Sequence, residues 1–138
     1  MKNIFFLFWM IGCQQQNSSL SESSVNSAIS SNHFLELKLG EENNSLDQAV
    51  VTLVTTDGLY TDSTESLNDF FRQNLTVING FFIEIQPVSS EDSNPKNYTI
   101  FIKPESPGGV NLYLAPQIVK YDASNVYENE SSLNITVQ

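Results

Sequence analysis

Tyr98-Thr99-Ile100-Phe101-Ile102-Lys103-Pro104-Glu105-Ser106-Pro107-Gly108-Gly109-Val110-Asn111-Leu112-Tyr113-Leu114 carries the pattern that decides the fold. Tyr98, Ile100 and Ile102 alternate with Thr99, Phe101 and Lys103, and Val110, Leu112 and Leu114 alternate with Asn111 and Tyr113. Successive side chains of a strand point to opposite faces, so this period of two gives each segment one face for a core. The prolines and glycines from Pro104 to Gly109 form a turn between them. Outward from this pair the pattern repeats. Leu35, Leu37 and Leu39 alternate with Glu36 and Lys38, and Ala49-Val50-Val51-Thr52-Leu53-Val54 is apolar and β-branched. Leu75-Thr76-Val77-Ile78 runs into Asn79-Gly80, a strong tight-turn dipeptide. Phe81, Ile83 and Ile85 then alternate with Phe82, Glu84 and Gln86, and Leu133, Ile135 and Val137 alternate at the C-terminus.

These segments predict about seven strands with one short helical piece over residues 66–72, a single turn crossing between sheets. No long crossover helix is available to join parallel strands, so pairing is antiparallel. Two sheets packed face to face bury the apolar faces. At 138 residues, 40% of them hydrophobic, the chain has material for one domain and one core.

Composition excludes one class of partner. The formal charge is −10, with 6 Lys and Arg against 16 Asp and Glu. Nucleic-acid affinity comes largely from Lys and Arg neutralising phosphates, so nucleic acid is no partner here. Acidity likewise opposes adsorption on anionic lipid headgroups.

The N-terminus reads as an export signal. Met1-Lys2-Asn3 supplies a positive start, and Ile4-Phe5-Phe6-Leu7-Phe8-Trp9-Met10-Ile11 is wholly apolar. As a helix this run is ~12 Å long, too short for a bilayer core of about 30 Å. It fits the apolar region of a signal peptide. Gly12 and then Cys13, the single cysteine, follow. Met10-Ile11-Gly12-Cys13 resembles the lipobox of bacterial lipoproteins, with Met10 where that family usually has leucine. The resemblance implies cleavage after residue 12 and a diacylglycerol on the Cys13 sulfur, often with a third chain, such as palmitate, on its new amino group. Two or more acyl chains anchor stably where one does not. The expected cofactor list is otherwise empty, the covalent lipid being the one attached group. Gln14, rather than an acidic residue, follows Cys13 and leans the expected location toward the outer membrane or cell surface.

Residues 13–32 are Gln-, Ser- and Asn-rich and lack periodicity, so they read as a disordered tether. A coil of about twenty residues spans roughly 25 Å. The expected organisation is therefore a signal peptide over 1–12, an acylated cysteine and tether over 13–32, and a domain over 33–138.

Within that domain, Asp69-Phe70, the strand Thr76-Val77-Ile78 and Asn79-Gly80 occur in order. Tyr98 to Pro104, Gly108-Gly109, Val110 to Leu114, Asp122-Ala123-Ser124-Asn125 and Leu133-Asn134-Ile135-Thr136-Val137 follow. This succession resembles the bacterial immunoglobulin-like domains repeated in large surface adhesins. The resemblance implies an all-β, Ig-like antiparallel β-sandwich. The turn at Asp122 lacks the family's glycine, so no ion-binding role is carried over to it.

Catalytic chemistry finds little footing. A nucleophile needs an adjacent base, and the single histidine, His33, falls at the tether boundary. No Cys/His spacing for zinc occurs. Asp57, Asp62, Asp122 and Glu128 are the carboxylates placed to offer calcium the six to eight oxygens it prefers, against a reading as solvated acidic loops. Alternation also places Phe82, Phe101 and Tyr113 opposite the core-facing residues, and on neighbouring strands they share one outer face. Ordinary cross-strand pairing, or cover by the excursion at 57–72, is the reading preferred over a contact face.

The expectation is thus a non-enzymatic, lipid-anchored module of the bacterial envelope. It serves adhesion, surface display or contact with an envelope or host-surface protein or glycan. The alternative is a ligand-binding lipoprotein that captures a carbohydrate or calcium through its end loops.

Overall fold

In a computed structural model, which describes residues 32–40, 44–62, 64–89, 91 and 93–138, every alternating stretch is a strand. The order is β1 (Leu35–Leu39), β2 (Ala49–Thr55), α1 (Leu67–Asn74), β3 (Thr76–Ile78), β4 (Gly80–Pro87), β5 (Asn97–Pro104), β6 (Gly108–Leu114) and β7 (Ser131–Val137). The strands form two antiparallel sheets, β1-β2-β5-β4 and β3-β6-β7. Four strands against three in this order is the constant-type immunoglobulin arrangement. His33–Gln138 forms one compact unit. The expected signal peptide, Cys13 and nearly all of the expected tether lie outside the described residues.

Period-two burial builds the core. Leu35 and Leu37 of β1, Val51 and Leu53 of β2, and Ile100 and Ile102 of β5 meet Val110, Leu112 and Leu114 of β6 and Ile135 and Val137 of β7. Each such side chain contributes about 1.5–3 kcal/mol when fully buried. Tyr98, at the start of β5, is buried and donates its hydroxyl back to the Pro95 carbonyl at 2.8 Å. That is the local geometry of a tyrosine corner, here on the fifth strand.

Connections obey local chemistry. Ser66 caps α1, its Oγ accepting from the Asp69 amide at 3.1 Å. Asp69 in the first turn and Arg72 in the last complement the helix dipole and pair at 3.0 Å. The helix is longer than the expected single turn and carries the chain from one sheet to the other. Asn79 has φ 68° and links β3 to β4, which lie in different sheets. Asn79-Gly80 therefore turns the chain across the sandwich and closes no hairpin. The Asn79 side chain holds this corner, donating to the Ser106 and Gly109 carbonyls and accepting from the Ser106 hydroxyl.

Side chains bond backbone groups on both edges of the four-stranded sheet. The Asn129 amide bonds both the N–H and the carbonyl of Leu35, at 3.2 and 2.8 Å, and Ser131 Oγ accepts from the Leu37 amide at 2.9 Å. On the opposite edge, Asn68 Oδ1 of α1 accepts from the Ile85 amide at 2.8 Å. Unpaired edge groups invite pairing with other chains, so these contacts discourage it.

Candidate functional site

The sandwich end at which β1 begins gathers the chemistry-bearing side chains. Thr56, Asp57 and Gly58 follow β2, Gly58 having φ 84°. This turn aims the Asp57 carboxylate at the start of the domain. His33 Nδ1 meets Asp57 Oδ2 at 2.6 Å, and Thr56 Oγ1 donates to the same oxygen at 2.6 Å. The Thr56 bond, then the His33 bond, holds the Asp57 carboxyl below the usual carboxylate range. The His33 ring stacks on Tyr121, centroids 4.5 Å apart at 15°, and Tyr121 leans on Tyr127 at 5.0 Å. Phe34 adds two bonds to Thr56, its carbonyl accepting from the Thr56 amide and its amide donating to Thr56 Oγ1. These contacts fix the first described residues to the sandwich. Thr56 Oγ1 also lies within bonding distance of the Phe34 carbonyl, so the trio ties the start of the domain to the turn after β2.

The histidine's partner is 24 residues away in sequence. Local periodicity carries no signal for that pairing, and sequence reading left His33 without a role.

The four calcium candidates are dispersed among separate bonds. Asp57 is committed as above. Asp62 lies before α1, where its carbonyl accepts from the Glu65 amide. Asp122 accepts from Asn125 Nδ2 and from the Ser124 amide at 2.8 Å, bonds that in that order lower its pKa. Glu128 accepts from Gln117 Nε2 at 2.7 Å. Among the described residues, no three His, Cys, Asp or Glu side chains are grouped to hold a metal.

The three aromatics do not share a face. Phe82 pairs with Ile102 and packs against the core, because β4 carries a bulge between Phe82 and Glu84. One extra residue reverses the alternation on that side, so Phe81 and Ile83 are the exposed residues, at 56% and 41%. Arg72 of α1 lies 5.7 Å above the Phe82 ring and covers it further. Phe101 does face outward, half-buried between Val50 and Glu84 on neighbouring strands. Tyr113 belongs to the other sheet, on β6.

The two outer faces differ in chemistry. Glu36, Lys38, Glu84 and Lys103 lie on the outside of β1-β2-β5-β4. The turn at 44–48 folds over part of it. Asn44 Oδ1 accepts from the Val50 amide, Lys103 Nζ donates to the Leu46 carbonyl at 2.9 Å, and Val50 is buried beneath. The outside of β3-β6-β7 is exposed, Tyr113 at 37%, and consists of three cross-strand rows. These are Thr76-Tyr113-Ser132, Ile78-Asn111-Asn134 and Gly109-Thr136. No charged residue occupies any of these positions. Tyr113 donates its hydroxyl to Glu130 Oε1 at 2.7 Å, which raises the phenol's pKa.

No family model, curated protein or solved structure matches this chain.

Proposed function

We propose that the chain is a lipid-anchored module of the bacterial cell envelope, non-enzymatic, whose immunoglobulin-like sandwich serves adhesion, surface display or protein contact. The observation that carries this reading is Met10-Ile11-Gly12-Cys13 at the end of a short apolar run. A peptidase that cleaves after Gly12 leaves Cys13 as the new first residue, and acyl chains on its sulfur and amino group hold the protein to a membrane. The seven-stranded sandwich supports the reading as a rigid body carried by such an anchor. So does the clamp at His33, which takes up the chain arriving from the anchor side at one end of the sandwich.

Detergent phase partition of the full-length chain made in a bacterial host tests this. Wild type goes to the detergent phase with a mature N-terminus bearing lipid mass on Cys13, and Cys13→Ala goes to the aqueous phase. Wild type in the aqueous phase, or an unprocessed N-terminus, overturns it.

A further inference from the structure

We propose that Asn79 is a deamidation site which the folded corner holds unreactive, so that its conversion to aspartate or isoaspartate marks chains whose β3–β4 corner has opened. Asn79-Gly80 is the one Asn-Gly pair in the sequence. That pair is the most labile asparagine dipeptide in water, because glycine has no side chain to shield its backbone nitrogen. In the reaction the Gly80 nitrogen attacks Asn79 Cγ. A bond forms between them, the Cγ–Nδ2 bond breaks, and the Gly80 proton departs with Nδ2 as ammonia. Water then opens the cyclic imide at either carbonyl and leaves aspartate or isoaspartate.

The corner requires this pair. Asn79 has φ 68°, in the left-handed region that glycine, asparagine and aspartate enter most readily. Its side chain donates to the Ser106 carbonyl at 3.0 Å and to the Gly109 carbonyl at 3.2 Å. Of those residue types only asparagine brings side-chain donors, since an ionised aspartate accepts only. A Cβ at Gly80 would come 3.0 Å from the Lys103 carbonyl oxygen and 3.3 Å from Ile102 Cγ2, so β5 leaves no space for a larger residue. Backbone geometry and packing thus select the labile dipeptide at a half-buried crossing between the sheets.

The same bonds hold it back. Ser106 Oγ donates to Asn79 Oδ1 at 2.8 Å, and the Glu105 amide donates to the Asn79 carbonyl at 3.0 Å. The amide nitrogen, amide oxygen and backbone carbonyl of Asn79 are therefore all engaged by residues 105–109. Ring closure makes Cγ tetrahedral and turns the amide out of the plane in which it meets Ser106 and Gly109. Reaction therefore waits for local opening. The product cannot rebuild the corner. Aspartate has no donor for the two carbonyls and sets its charge against them, and isoaspartate adds a methylene to the main chain.

Timed incubation of the full-length chain at mildly alkaline pH, with and without guanidinium, tests this, with peptide mapping by mass spectrometry following amide loss at Asn79. In denaturant Asn79 deamidates first among the asparagines. In the folded chain its rate is at least about tenfold lower. Ser106→Ala removes the bond to Oδ1, so it raises the folded rate several-fold and leaves the denatured rate unchanged. Asn79→Asp stands in for the product and lowers the denaturation midpoint. Circular dichroism verifies the fold of each variant, and the wild-type comparison in and out of denaturant needs no variant. Equal folded and denatured rates overturn the proposal, as does an Asn79→Asp midpoint equal to that of wild type. A Ser106→Ala rate that is unchanged or lower also overturns it, a lower one making the hydroxyl an activator of the amide carbonyl.

Discussion

The Tyr127 hydroxyl donates to the Gly58 carbonyl at 2.7 Å and accepts from the Asp57 amide at 3.0 Å. One buried phenol thus satisfies two backbone groups of the turn that presents Asp57 to His33. Tyr127 is 1% exposed, and burial raises its pKa. Tyr127→Phe keeps the ring packing and strands both backbone groups. Unsatisfied buried polar groups cost about 1–3 kcal/mol each, so stranding the two costs the variant about 2–6 kcal/mol. Urea denaturation checks this: the midpoint falls while the m-value stays put.

Acid stability should carry the mark of Asp57. Its folded pKa lies below the unfolded value, through the Thr56 bond first and the His33 bond second. Such a group contributes stability that is fully present above the unfolded pKa of ~3.9 and lost as pH falls through the folded one. Asp57→Asn is therefore less stable than wild type at neutral pH, and the two converge between about pH 5 and pH 2. Melting temperatures across that range measure it. A gap that stays constant down to the acid end contradicts the assignment.

The strands were legible because β1, β5, β6 and β7 each bury alternate residues while β2 is a continuous apolar, β-branched run, and both are purely local signals. The strand order was not local, but a seven-stranded antiparallel chain with one inter-sheet helix leaves few arrangements. What stayed hidden depends on contacts far apart in sequence. The bulge in β4 follows from its register against β5, and Phe81-Phe82-Ile83 offers three large apolar residues of which either parity makes an acceptable core. The His33–Asp57 pair and the Asn129 bonds to Leu35 span 24 and 94 residues. The neutral face is readable only once β3, β6 and β7 are known to be neighbours. Asn111 and Asn134 look like ordinary solvent positions on separate strands.

The reversed alternation in β4 is directly measurable. Phe82 packs against the core and under Arg72, whereas Phe81 is more than half exposed. Phe82→Ala should cost about 2–3 kcal/mol, below the ~3–5 of a fully buried phenylalanine because Phe82 is only half-buried. Phe81→Ala should stay within about 0.5 kcal/mol of wild type. Equilibrium denaturation of the pair decides the register. The opposite ranking would place Phe81 inside and remove the bulge.

Asn129 supplies the last test, of how β1 is held. Its side chain bonds the Leu35 amide and carbonyl, standing in for a neighbouring strand on the outer edge of β1. Ser131 repeats the device one pair further on, at the Leu37 amide. β1 stays in register with β2 from Leu35–Thr55 to Leu39–Val51, so removing the two Asn129 bonds should loosen β1 without unfolding the sandwich. Asn129→Ala is expected to cost about 1–2 kcal/mol. The loss should be concentrated locally, since edge elements open below the global unfolding energy. Native-state hydrogen exchange reads this by residue. The Leu35 amide should exchange faster, by roughly tenfold or more, while the Ile100 and Ile102 amides of central β5 slow or quicken only with global stability. Uniform acceleration across all strands would mean that β1 opens only with the whole domain, and that the Asn129 bonds add nothing specific to the edge.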